Sequence, residues 1–469
     1  MGPQPDRPAG PVVVSRNSPA KAKGPKPEIV DAPGLSARKA AAKLLGAVVD
    51  AHTPLDGLTD NENGHPVYLA LGPRDRSLVR AILATALRFR MTIGALLARR
   101  LERPLPANAT ALSHILHVAA AQMLFLDIPD SAAVDLAVTH AKSDPRTARF
   151  AALVNGVLRA LGRVKDRALP VALSQTQDAP EWFRQRLTNA YGDEKAAAIL
   201  AMHRLEAPVD FTVKSDPAGW AETFGGITLP TGTVRVERLT APVNELPGYV
   251  AGEWWVQDAA AAMPAMLFGD IRGRRVADLC AAPGGKTAQL ALAGADVTAL
   301  DASRNRLKRL KANLDRLGLR ATLVEGDAAV WRPTELFDAV LLDAPCSSTG
   351  TVRRHPDVPW TKSIADVEKL AGVQRRLLDA AVKLVKPGGQ IVFSNCSLDP
   401  LEGEELYETF LADNDDVVPD PIRSGEFSAL DPFIDHQGCL RTTPADMVLT
   451  RPALSGLDGF FAARMRKRH

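Results

Sequence analysis

Cysteine and aromatic residues are scarce in this chain. Aromatic side chains make up 5% of the 469 residues. The four cysteines all lie in the C-terminal half, at Cys280, Cys346, Cys396 and Cys439. No two of them form a Cys-x-x-Cys pair or show a zinc-ligand spacing, which disfavours both a metal site and a secreted disulfide framework. We therefore expect free thiols in a reducing cytoplasm, and no metal.

Long apolar runs are also missing. No stretch approaches the roughly 18 apolar residues that a membrane span requires, and Val12–Val14 is too short for the apolar region of a signal peptide. The charges nearly balance, because 57 Lys and Arg face 54 Asp and Glu, for a net charge of +3. A nucleic-acid partner is permitted, but only local clusters can argue for one. No membrane partner is expected.

The stretch Val276–Lys286 is neither a Gly-x-Gly-x-x-Gly loop nor a Walker loop. It predicts a buried strand, then a glycine-rich turn, then a helix that opens at Lys286. Such an edge binds a nucleotide-like cofactor, because glycines let the backbone approach the ligand and the helix N-terminus offers free N–H groups. We expect a cofactor other than a dinucleotide or a triphosphate.

The composition divides the chain into four parts. Residues 1–33 are rich in Pro, Gly and basic residues, which predicts a disordered tail, with a weak RNA contact as the alternative. Residues 34–165 are predicted to be helical, 166–250 to form a connector, and 251–469 to alternate between strands and helices. The predicted fold class is multidomain: an all-α N-terminal domain, a small α+β connector and a C-terminal α/β Rossmann-like domain with a mostly parallel sheet.

The N-terminal domain is predicted to hold about six or seven helices. Ser36 and Asp130 are candidate N-caps, and Pro73 opens a helix that runs to Leu87. Arginines crowd part of this domain, at Arg74, Arg76, Arg80, Arg88, Arg90, Arg99, Arg100 and Arg103. A run of this kind is usually a solvated helix face, and contact with RNA phosphates is the alternative.

The C-terminal part shows the alternation that is typical of a doubly wound sheet. Strands are predicted at Val276–Cys280, Val297–Asp301, Thr322–Asp327, Ala339–Asp343 and Gln390–Ser394. Helices are predicted at Thr287–Leu292, Arg304–Leu317, Ile364–Val385 and Glu402–Leu411. The last stretch, Phe460–Lys467, is expected to add an antiparallel edge strand.

Three of the predicted strands end in a carboxylate, at Asp301, Asp327 and Asp343. Ligands of open α/β sheets lie outside the carboxyl ends of the strands. Asp301 stands where an acidic residue would bind ribose hydroxyls, and Asp327 would lie near an adenine ring. Helix capping is the alternative for Asp301 or Asp327 alone, but the set beside the glycine loop favours the ligand interpretation.

Two cysteines follow neighbouring predicted strands. The fourth strand leads into Asp343–Cys346, and the fifth into Asn395–Ser397. Because both strands should end at the cofactor edge, Cys346 and Cys396 should meet over one cleft. A thiol in such a loop can be exposed and have a lowered pKa, so a function is favoured over two buried structural cysteines. The residues alone leave open which of the two attacks a substrate.

Together these motifs resemble those of the RNA cytosine-5 methyltransferases that use S-adenosylmethionine. The resemblance rests on Asp278–Lys286, Asp343–Cys346, Asn395–Ser397, Arg353–Trp360 and Leu457–Arg464. The helical region resembles the NusB-type RNA-binding domain at Ser36–Lys39, Gly72–Arg76 and Phe150–Leu158. The pairing of the two domains is similar to that of the bacterial Sun/Fmu (RsmB-type) 16S ribosomal RNA methyltransferases, over residues 35–467.

The resemblance implies a role for each motif. Cys396 is the implied nucleophile, and Cys346 helps to release the product. The implied S-adenosylmethionine contacts are Cys280, Ala281, Ala282, Pro283, Gly284, Gly285, Lys286, Asp301, Asp327 and Asp343. Asp343 and Lys286 also face the target base. The implied partner is 16S ribosomal RNA, naked or at an early stage of assembly, and the enzyme is expected to act as a cytoplasmic monomer.

The implied chemistry suits a pair of thiols. A thiolate that adds to C6 of cytosine activates C5 as a nucleophile, and a carboxyl such as Asp343 can stabilise the adduct at N3. A second thiol can assist the final elimination, and the target base must be unpaired or flipped out. One position departs from the pattern, because Asn395 stands where Thr is usual.

Three rival functions stay open at this point. A dehydrogenase would need a hydride-transfer site, and no His or Tyr arrangement suggests one. A non-catalytic RNA-binding assembly factor would not need both cysteines and Lys286. The same chemistry on transfer RNA or on another ribosomal site is the serious competitor, because the catalytic motifs would be shared.

Overall fold

The structure, a computed structural model, describes Gly2 and residues 32–469. The tail predicted over residues 1–33 lies almost wholly outside the described residues. The first part of the described chain is helical, as predicted. Its helices are α1 (Leu35–Val49), α2 (Leu55–Leu58), α3 (Pro66–Leu69), α4 (Pro73–Arg88), α5 (Arg90–Ala98), α6 (Thr110–Phe125), α7 (Asp130–Ser143), α8 (Ala151–Gly162) and α9 (Lys165–Gln175).

Apolar residues at helical spacing build the core of this domain. In α6 the apolar residues Leu112, Ile115, Leu116, Ala119 and Met123 are buried. The rings of Phe89 and Phe125 stack with centroids 3.9 Å apart. The two predicted N-caps are wrong. Helix α1 begins at Leu35, so its N-cap is Gly34, which has a left-handed φ of 77°. Helix α7 begins at Asp130, so its N-cap is Pro129. Neither N-cap residue forms a side-chain hydrogen bond to its helix. The side chain of Asp130 binds Lys165 instead, at 2.7 Å.

The connector holds a bent helix and a small antiparallel sheet. Helix α10 (Glu181–His203) is broken into two parts at Gly192, whose φ is 74°. The sheet has the strand order β2-β3-β1-β4. Its elements are β1 (Val209–Val213), α11 (Pro217–Phe224), β2 (Ile227–Thr228), β3 (Val234–Val236) and β4 (Trp254–Val256).

Two contacts cross the predicted domain limits. Helix α9 packs on the helical core through the buried Ala172, and β4 pairs with β1 although it follows residue 250. Trp254 is fully buried and packs edge-on against Phe211 at 4.8 Å. The limits at residues 165 and 250 remain predictions.

The C-terminal part forms an eight-stranded sheet of order β10-β12-β9-β8-β5-β6-β7, with β11 also paired to β12. Its strands are β5 (Arg275–Leu279), β6 (Asp296–Asp301), β7 (Thr322–Glu325), β8 (Phe337–Asp343), β9 (Val385–Asn395), β10 (Val417–Pro419), β11 (Leu440–Thr442) and β12 (Phe460–Lys467). Its helices are α12 (Ala259–Met266), α13 (Gly285–Leu292), α14 (Arg304–Leu317), α15 (Val358–Thr361), α16 (Ile364–Leu384) and α17 (Glu404–Ala412).

Strands β5 to β9 pair in parallel, which confirms the predicted fold class. Strand β12 is antiparallel as predicted, but it is not an edge strand. It lies between β9 on one side and β10 and β11 on the other. The sequence placed β12 at the edge because β10 and β11 have three residues each, too few to show a strand pattern. Both of these short strands pair with β12 and cover its outer side.

Over residues 32–469, no single helix has the length and apolar character to cross a membrane. Helices α4 and α5 meet those criteria only together, across a bend of 75°.

Candidate active site

The loop after β5 turns sharply into α13. Cys280 has a left-handed φ of 61° and Gly284 a φ of 103°. A Cβ atom on Gly284 would lie 2.7 Å from Cγ of Leu310, so only glycine lets α14 pack this closely. Burial raises the pKa of Cys280 to about 12, which makes it a poor nucleophile in its resting state.

A cavity of about 400 Å³ opens beside this loop. It is lined by Ala281–Lys286, by Asp278 and Asp343, and by Tyr249, Trp255, Gln257, Asn313 and Arg316. The last five residues were missed by the sequence reasoning. Trp255 and Gln257 could have been found from the segment Gly252–Asp258, which immediately precedes α12, whereas Tyr249, Asn313 and Arg316 gave no such signal.

Asp278 contributes an unusual carboxylate to the cavity. It is fully buried, and its Oδ2 atom accepts a hydrogen bond from the Thr287 hydroxyl at 2.6 Å, whereas its Oδ1 atom has no hydrogen-bond partner. Burial raises the pKa of Asp278 to about 7. An amine of a bound ligand would supply the missing donor, so the cavity suits an amino-acid-like group at this point.

The carboxylates of Asp301 and Asp327 differ in position. Asp301 is 2% exposed and accepts hydrogen bonds from the amides of Ala282, at 3.2 Å, and Ser303, at 2.9 Å. It therefore ties the glycine loop to the start of α14. Asp327 is exposed, accepts the Ala329 amide at 2.9 Å, and does not line the cavity.

Lys286 and Asp343 form an ion pair between α13 and the end of β8. Nζ of Lys286 lies 2.7 Å from Oδ2 of Asp343 and 4.9 Å from the ring centre of Phe460. The Ser394 hydroxyl donates to the other oxygen of Asp343 at 3.0 Å. The pair joins the helix that follows the glycine loop to the strand that leads to Cys346.

Cys346 and Cys396 meet at the ends of β8 and β9. Their Sγ atoms are 3.3 Å apart, neither forms a disulfide, and both are partly exposed. The parallel register aligns Asp343 with Ser394, so Cys346 lies three residues and Cys396 two residues beyond that aligned pair. Alignment of the strand ends brings together two thiols that lie 50 residues apart in sequence.

The two thiols are electrostatically unequal. The hydrogen bond between the sulfurs lowers the pKa of Cys396 and raises that of Cys346. Burial and Asp343 oppose the lowering at Cys396, while Ser348 and Lys286 favour it. The arrangement therefore favours Cys396 as the thiolate and Cys346 as the thiol.

Asn395, the residue that departs from the usual Thr, is fully buried. Its Nδ2 atom donates to the Glu402 carbonyl at 2.6 Å, and its Oδ1 atom accepts the Ser397 amide at 2.9 Å. These bonds fix the backbone on both sides of Cys396. Asn395 therefore shapes the nucleophile loop through hydrogen bonds of its own.

The segment Arg353–Trp360 joins the site to the other domains. Arg354 binds Asp258 and Asp458, at 2.6 and 3.0 Å. Toward the N-terminal domain, the Leu55 amide donates to Asp357 at 2.9 Å. The loop of Cys346 thus continues into a segment that is anchored on α2.

The crowded arginines of the N-terminal domain divide into two groups. Some make internal contacts: Arg76 with the Leu69 and Leu71 carbonyls, Arg80 with Thr59 and Asn61, Arg88 with the Arg353 carbonyl, and Arg90 with the Trp360 ring. Others, such as Arg74 and Arg103, are exposed. The exposed arginines, which include Arg80 of the first group, present their charge to phosphates most directly.

Two family models match the chain. One, described as 16S rRNA methyltransferase RsmB/F, matches residues 266–466, and the NusB family model matches residues 35–163. A ribosomal RNA small subunit methyltransferase B from Xanthomonas campestris pv. campestris is 35% identical over 408 residues, which cover 83% of this chain and 91% of the relative. The chain belongs to the RsmB/F family of methyltransferases.

Further likenesses agree with this family. A ribosomal RNA small subunit methyltransferase B from Vibrio vulnificus is 31% identical over 450 residues, covering 92% of this chain and the whole of the relative. The crystal structure of PH0851 superposes with a TM-score of 0.67 at 22% identity, covering 92% of this chain and 99% of that one. At that identity the structural match shows the fold alone.

Family membership makes the chain an enzyme, an RNA methyltransferase that uses S-adenosylmethionine, with a NusB domain at its N-terminal side. This agrees with the predicted family, fold class and cofactor, and it removes the rival dehydrogenase and the non-catalytic factor. Over residues 32–469, no group of three or more His, Cys, Asp or Glu side chains is arranged to hold a metal ion.

Proposed function

We propose that this chain methylates C5 of a specific cytosine in 16S ribosomal RNA, through a covalent bond between Cys396 and C6 of the base. The thiol pair carries the proposal, since the sulfurs lie 3.3 Å apart beside the Lys286–Asp343 ion pair. C5 of cytosine is too weak a nucleophile to accept a methyl group from a sulfonium unaided. A thiolate at C6 activates it, which is covalent catalysis.

The cofactor is proposed to lie along the glycine loop. When bound, S-adenosylmethionine supplies the methyl group. The loop Cys280–Lys286 and Asp343 would border it, and the unpartnered oxygen of Asp278 would accept a hydrogen bond from its amine. Asp301 would lie toward its ribose, and the adenine would extend toward Asp327, which lies outside the cavity. The cavity beside the loop and the helix N-terminus at Gly285 support this placement.

The protein groups then act in sequence. The Cys396 thiolate adds to C6, and the electron pair of the C5=C6 bond moves toward N3, which takes up a proton from solvent. The N3–H donates a hydrogen bond to the Asp343 carboxylate, which Lys286 holds in place, and this proton returns to solvent when the product is released. After C5 has accepted the methyl group, its proton passes to a solvent base and the Cys396–C6 bond breaks. The electron pair of that bond returns to the sulfur of Cys396, and the S–H of Cys346 donates to this departing thiolate.

The substrate is proposed to be 16S ribosomal RNA, naked or at an early stage of assembly, bound by a monomer in the cytoplasm without a metal. The printed names of the relatives support the small-subunit RNA, and the NusB domain with exposed arginines supports contact to phosphates. Bisulfite sequencing of ribosomal RNA from cells with and without the gene tests this choice. An unchanged 16S pattern with a changed transfer RNA pattern would move the same chemistry to the competing substrate.

The cysteine roles give a direct prediction. With 16S RNA and S-adenosylmethionine, Cys396→Ala should abolish methyl transfer. Cys346→Ala should form the adduct but release it slowly, so that a covalent RNA–protein band accumulates on a denaturing gel with labelled RNA. Cys439→Ala is the matched control, because that thiol is buried away from the cleft, and it should transfer methyl groups normally. An adduct with Cys396→Ala and none with Cys346→Ala would reverse the two roles.

A further inference from the structure

A buried carboxylate lies behind the two cysteine loops. Glu402 follows β9 in a single turn of 3₁₀ helix, Pro400–Glu402, and its side chain is fully buried. Its Oε1 atom accepts hydrogen bonds from the Ser347 amide and from Nε2 of Gln374, each at 2.9 Å. Its Oε2 atom accepts the Ser347 hydroxyl.

Glu402 connects the loop of Cys346 to the loop of Cys396. The side chain holds Ser347, which is adjacent to Cys346, while its backbone carbonyl accepts Nδ2 of Asn395, which is adjacent to Cys396. The two loops also meet directly, because the Gly350 amide donates to the Cys396 carbonyl at 2.9 Å. One residue thus holds a neighbour of each thiol.

The donors that contact the Glu402 carboxylate are neutral: an amide N–H, a hydroxyl and a side-chain amide. A buried negative charge without a cation is costly, and a neutral residue of the same shape would make a cheaper structural link. The nearby cation Arg186 does not compensate it either, since Arg186 binds Asp399. Burial raises the pKa of Glu402, and its ionised form therefore calls for a role beyond holding the loops.

Charged groups surround the thiol pair asymmetrically. Lys286 of α13 and Asp343 of β8 lie on the side of Cys396 and bind each other. Glu402 lies on the side of Cys346, where its charge favours the protonated form of that thiol. The proton shared by the two sulfurs is therefore biased toward Cys346.

We propose that Glu402 is a positioning residue that biases the proton shared by the two sulfurs toward Cys346, because its carboxylate is held on the amide of the adjacent Ser347. With Glu402 ionised, Cys346 stays a thiol and Cys396 becomes the thiolate. This deepens the proposed function and rests on it for its catalytic meaning, since a protonated Cys346 can donate to the departing Cys396 sulfur. The assignment of the proton itself depends only on the geometry of the site.

The test is differential alkylation of the full-length protein without RNA or cofactor. The protein is treated briefly with iodoacetamide over a pH series, and the label on each cysteine is measured by peptide mass spectrometry. In the unmodified protein Cys396 should be labelled at lower pH than Cys346. In Glu402→Gln, which keeps the size and most hydrogen bonds, the ratio of label on Cys396 to label on Cys346 should fall, by about tenfold for each unit of Cys346 pKa lost.

Two controls separate charge from packing. Glu405→Gln removes an exposed carboxylate three residues away, and Ser347→Ala removes one hydrogen bond but leaves the Glu402 charge. The Ser347 hydroxyl also contacts the hydroxyls of Thr349 and Ser397, so the hydrogen bond in question is the one to Glu402. Both variants should keep the ratio of the unmodified protein. An unchanged ratio in Glu402→Gln overturns the proposal. If Glu402→Gln does not fold, the unmodified protein decides, because labelling of Cys346 at lower pH than Cys396 overturns it as well.

The outcome is independent of methyl transfer. If the unmodified protein transfers no methyl group to RNA but the ratio shifts in Glu402→Gln, the proposed function fails and the role of Glu402 stands. If methyl transfer occurs through Cys396 and the labelling ratio does not shift in Glu402→Gln, the proposed function stands and the role of Glu402 fails. In an active enzyme, Glu402→Gln should also slow release of the adduct more than its formation.

Discussion

At the residue scale, Asp278 lowers the stability of the cofactor-free protein, and we expect the same carboxylate to bind the cofactor. Its carboxyl is fully buried, with one oxygen unpartnered. Burial raises its pKa in the folded protein to about 7, above the roughly 3.9 of an unfolded chain. The neutral carboxyl is tolerated in the folded protein, so its contribution to stability is fully present below the unfolded pKa of about 3.9. That contribution is lost as the pH rises through about 7, where the buried group must ionise.

Asp278→Asn should therefore stabilise the cofactor-free protein at pH 8, by about 1 to 4 kcal/mol, because the amide stays neutral and can still accept the Thr287 hydroxyl. The gain should shrink toward pH 5. Binding of S-adenosylmethionine should weaken, because the carboxylate that faces its amine is gone. Thermal unfolding at the two pH values and calorimetric titration measure these effects. Asp270→Asn, at an exposed carboxylate, is the control for nonspecific charge loss.

A lower melting temperature of Asp278→Asn at pH 8 would contradict this account of the cost. Unchanged cofactor binding would separately remove Asp278 from the proposed cofactor site.

Residue types at strand ends could be predicted from the sequence, whereas their electrostatics could not. Asp343, Cys346 and Cys396 follow local patterns, an apolar run and then a turn, which place them at one edge. The raised pKa of Asp278 and the role of Glu402 depend on burial by distant segments. Glu402 was predicted only as the first residue of a helix, because its partner Ser347 lies 55 residues away.

At the element scale, the backbone of the loop that carries Cys346 packs directly against the backbone that leads into β12. The Gly459 amide donates to the Gly350 carbonyl at 2.8 Å. A Cβ atom on Gly350 would lie 2.0 Å from the Gly459 carbonyl oxygen. Backbone meets backbone here, so no side chain can move aside.

Gly350→Ala should displace this loop and destabilise the protein by about 1–3 kcal/mol, as overpacking does. The adduct with RNA should form more slowly, because Cys346 and Cys396 lose their alignment. Gly372→Ala is the matched control, since that glycine lies in α16 with open space around it. It should stabilise the protein by about 0.4–1 kcal/mol and leave the rate unchanged. Chemical denaturation and the gel assay measure both. Equal stability and rate of Gly350→Ala and the unmodified protein would refute this role of the contact.

The periodic elements could be predicted because their signal is local. Helix α14 has the bounds that the sequence predicted, since Ser303 caps it and Gly318 ends it. Helices α2 and α3 span four residues each and show no period. The inner position of β12 depends on pairing with β10 and β11, which local patterns do not encode.

At the scale of the whole molecule, the catalytic and N-terminal domains meet through charged groups as well as packing. Nδ1 of His355 lies 3.3 Å from Oδ2 of Asp56, and Arg309 lies 3.0 Å from Asp60. The hydrogen bond to Asp56 raises the pKa of His355. The His355–Asp56 contact therefore contributes fully below the ordinary His pKa of about 6.5 and is lost as the pH rises through the raised value.

Asp56→Asn should lower the unfolding temperature of the full chain at pH 6 and have little effect at pH 9, where His355 is neutral in both proteins. Scanning calorimetry at the two pH values measures the difference. Glu62→Gln, at an exposed residue of the same domain, should show no such pH dependence. A shift of equal size at both pH values would mean that Asp56 acts by packing and not by charge.

Strand β12 is synthesised long after β9, the strand with which it pairs. Strand β9 carries the apolar residues Ile391–Phe393 and leads to Cys396. Its second neighbour in the sheet is made later, because Asn395 pairs with Phe461, which lies 66 residues further along the chain. Chains fold while they emerge from the ribosome, and an unpaired apolar edge invites pairing with other chains. Until β12 emerges, the growing enzyme presents β9 as an open edge, so a pause in translation over the intervening residues prolongs an aggregation-prone nascent state.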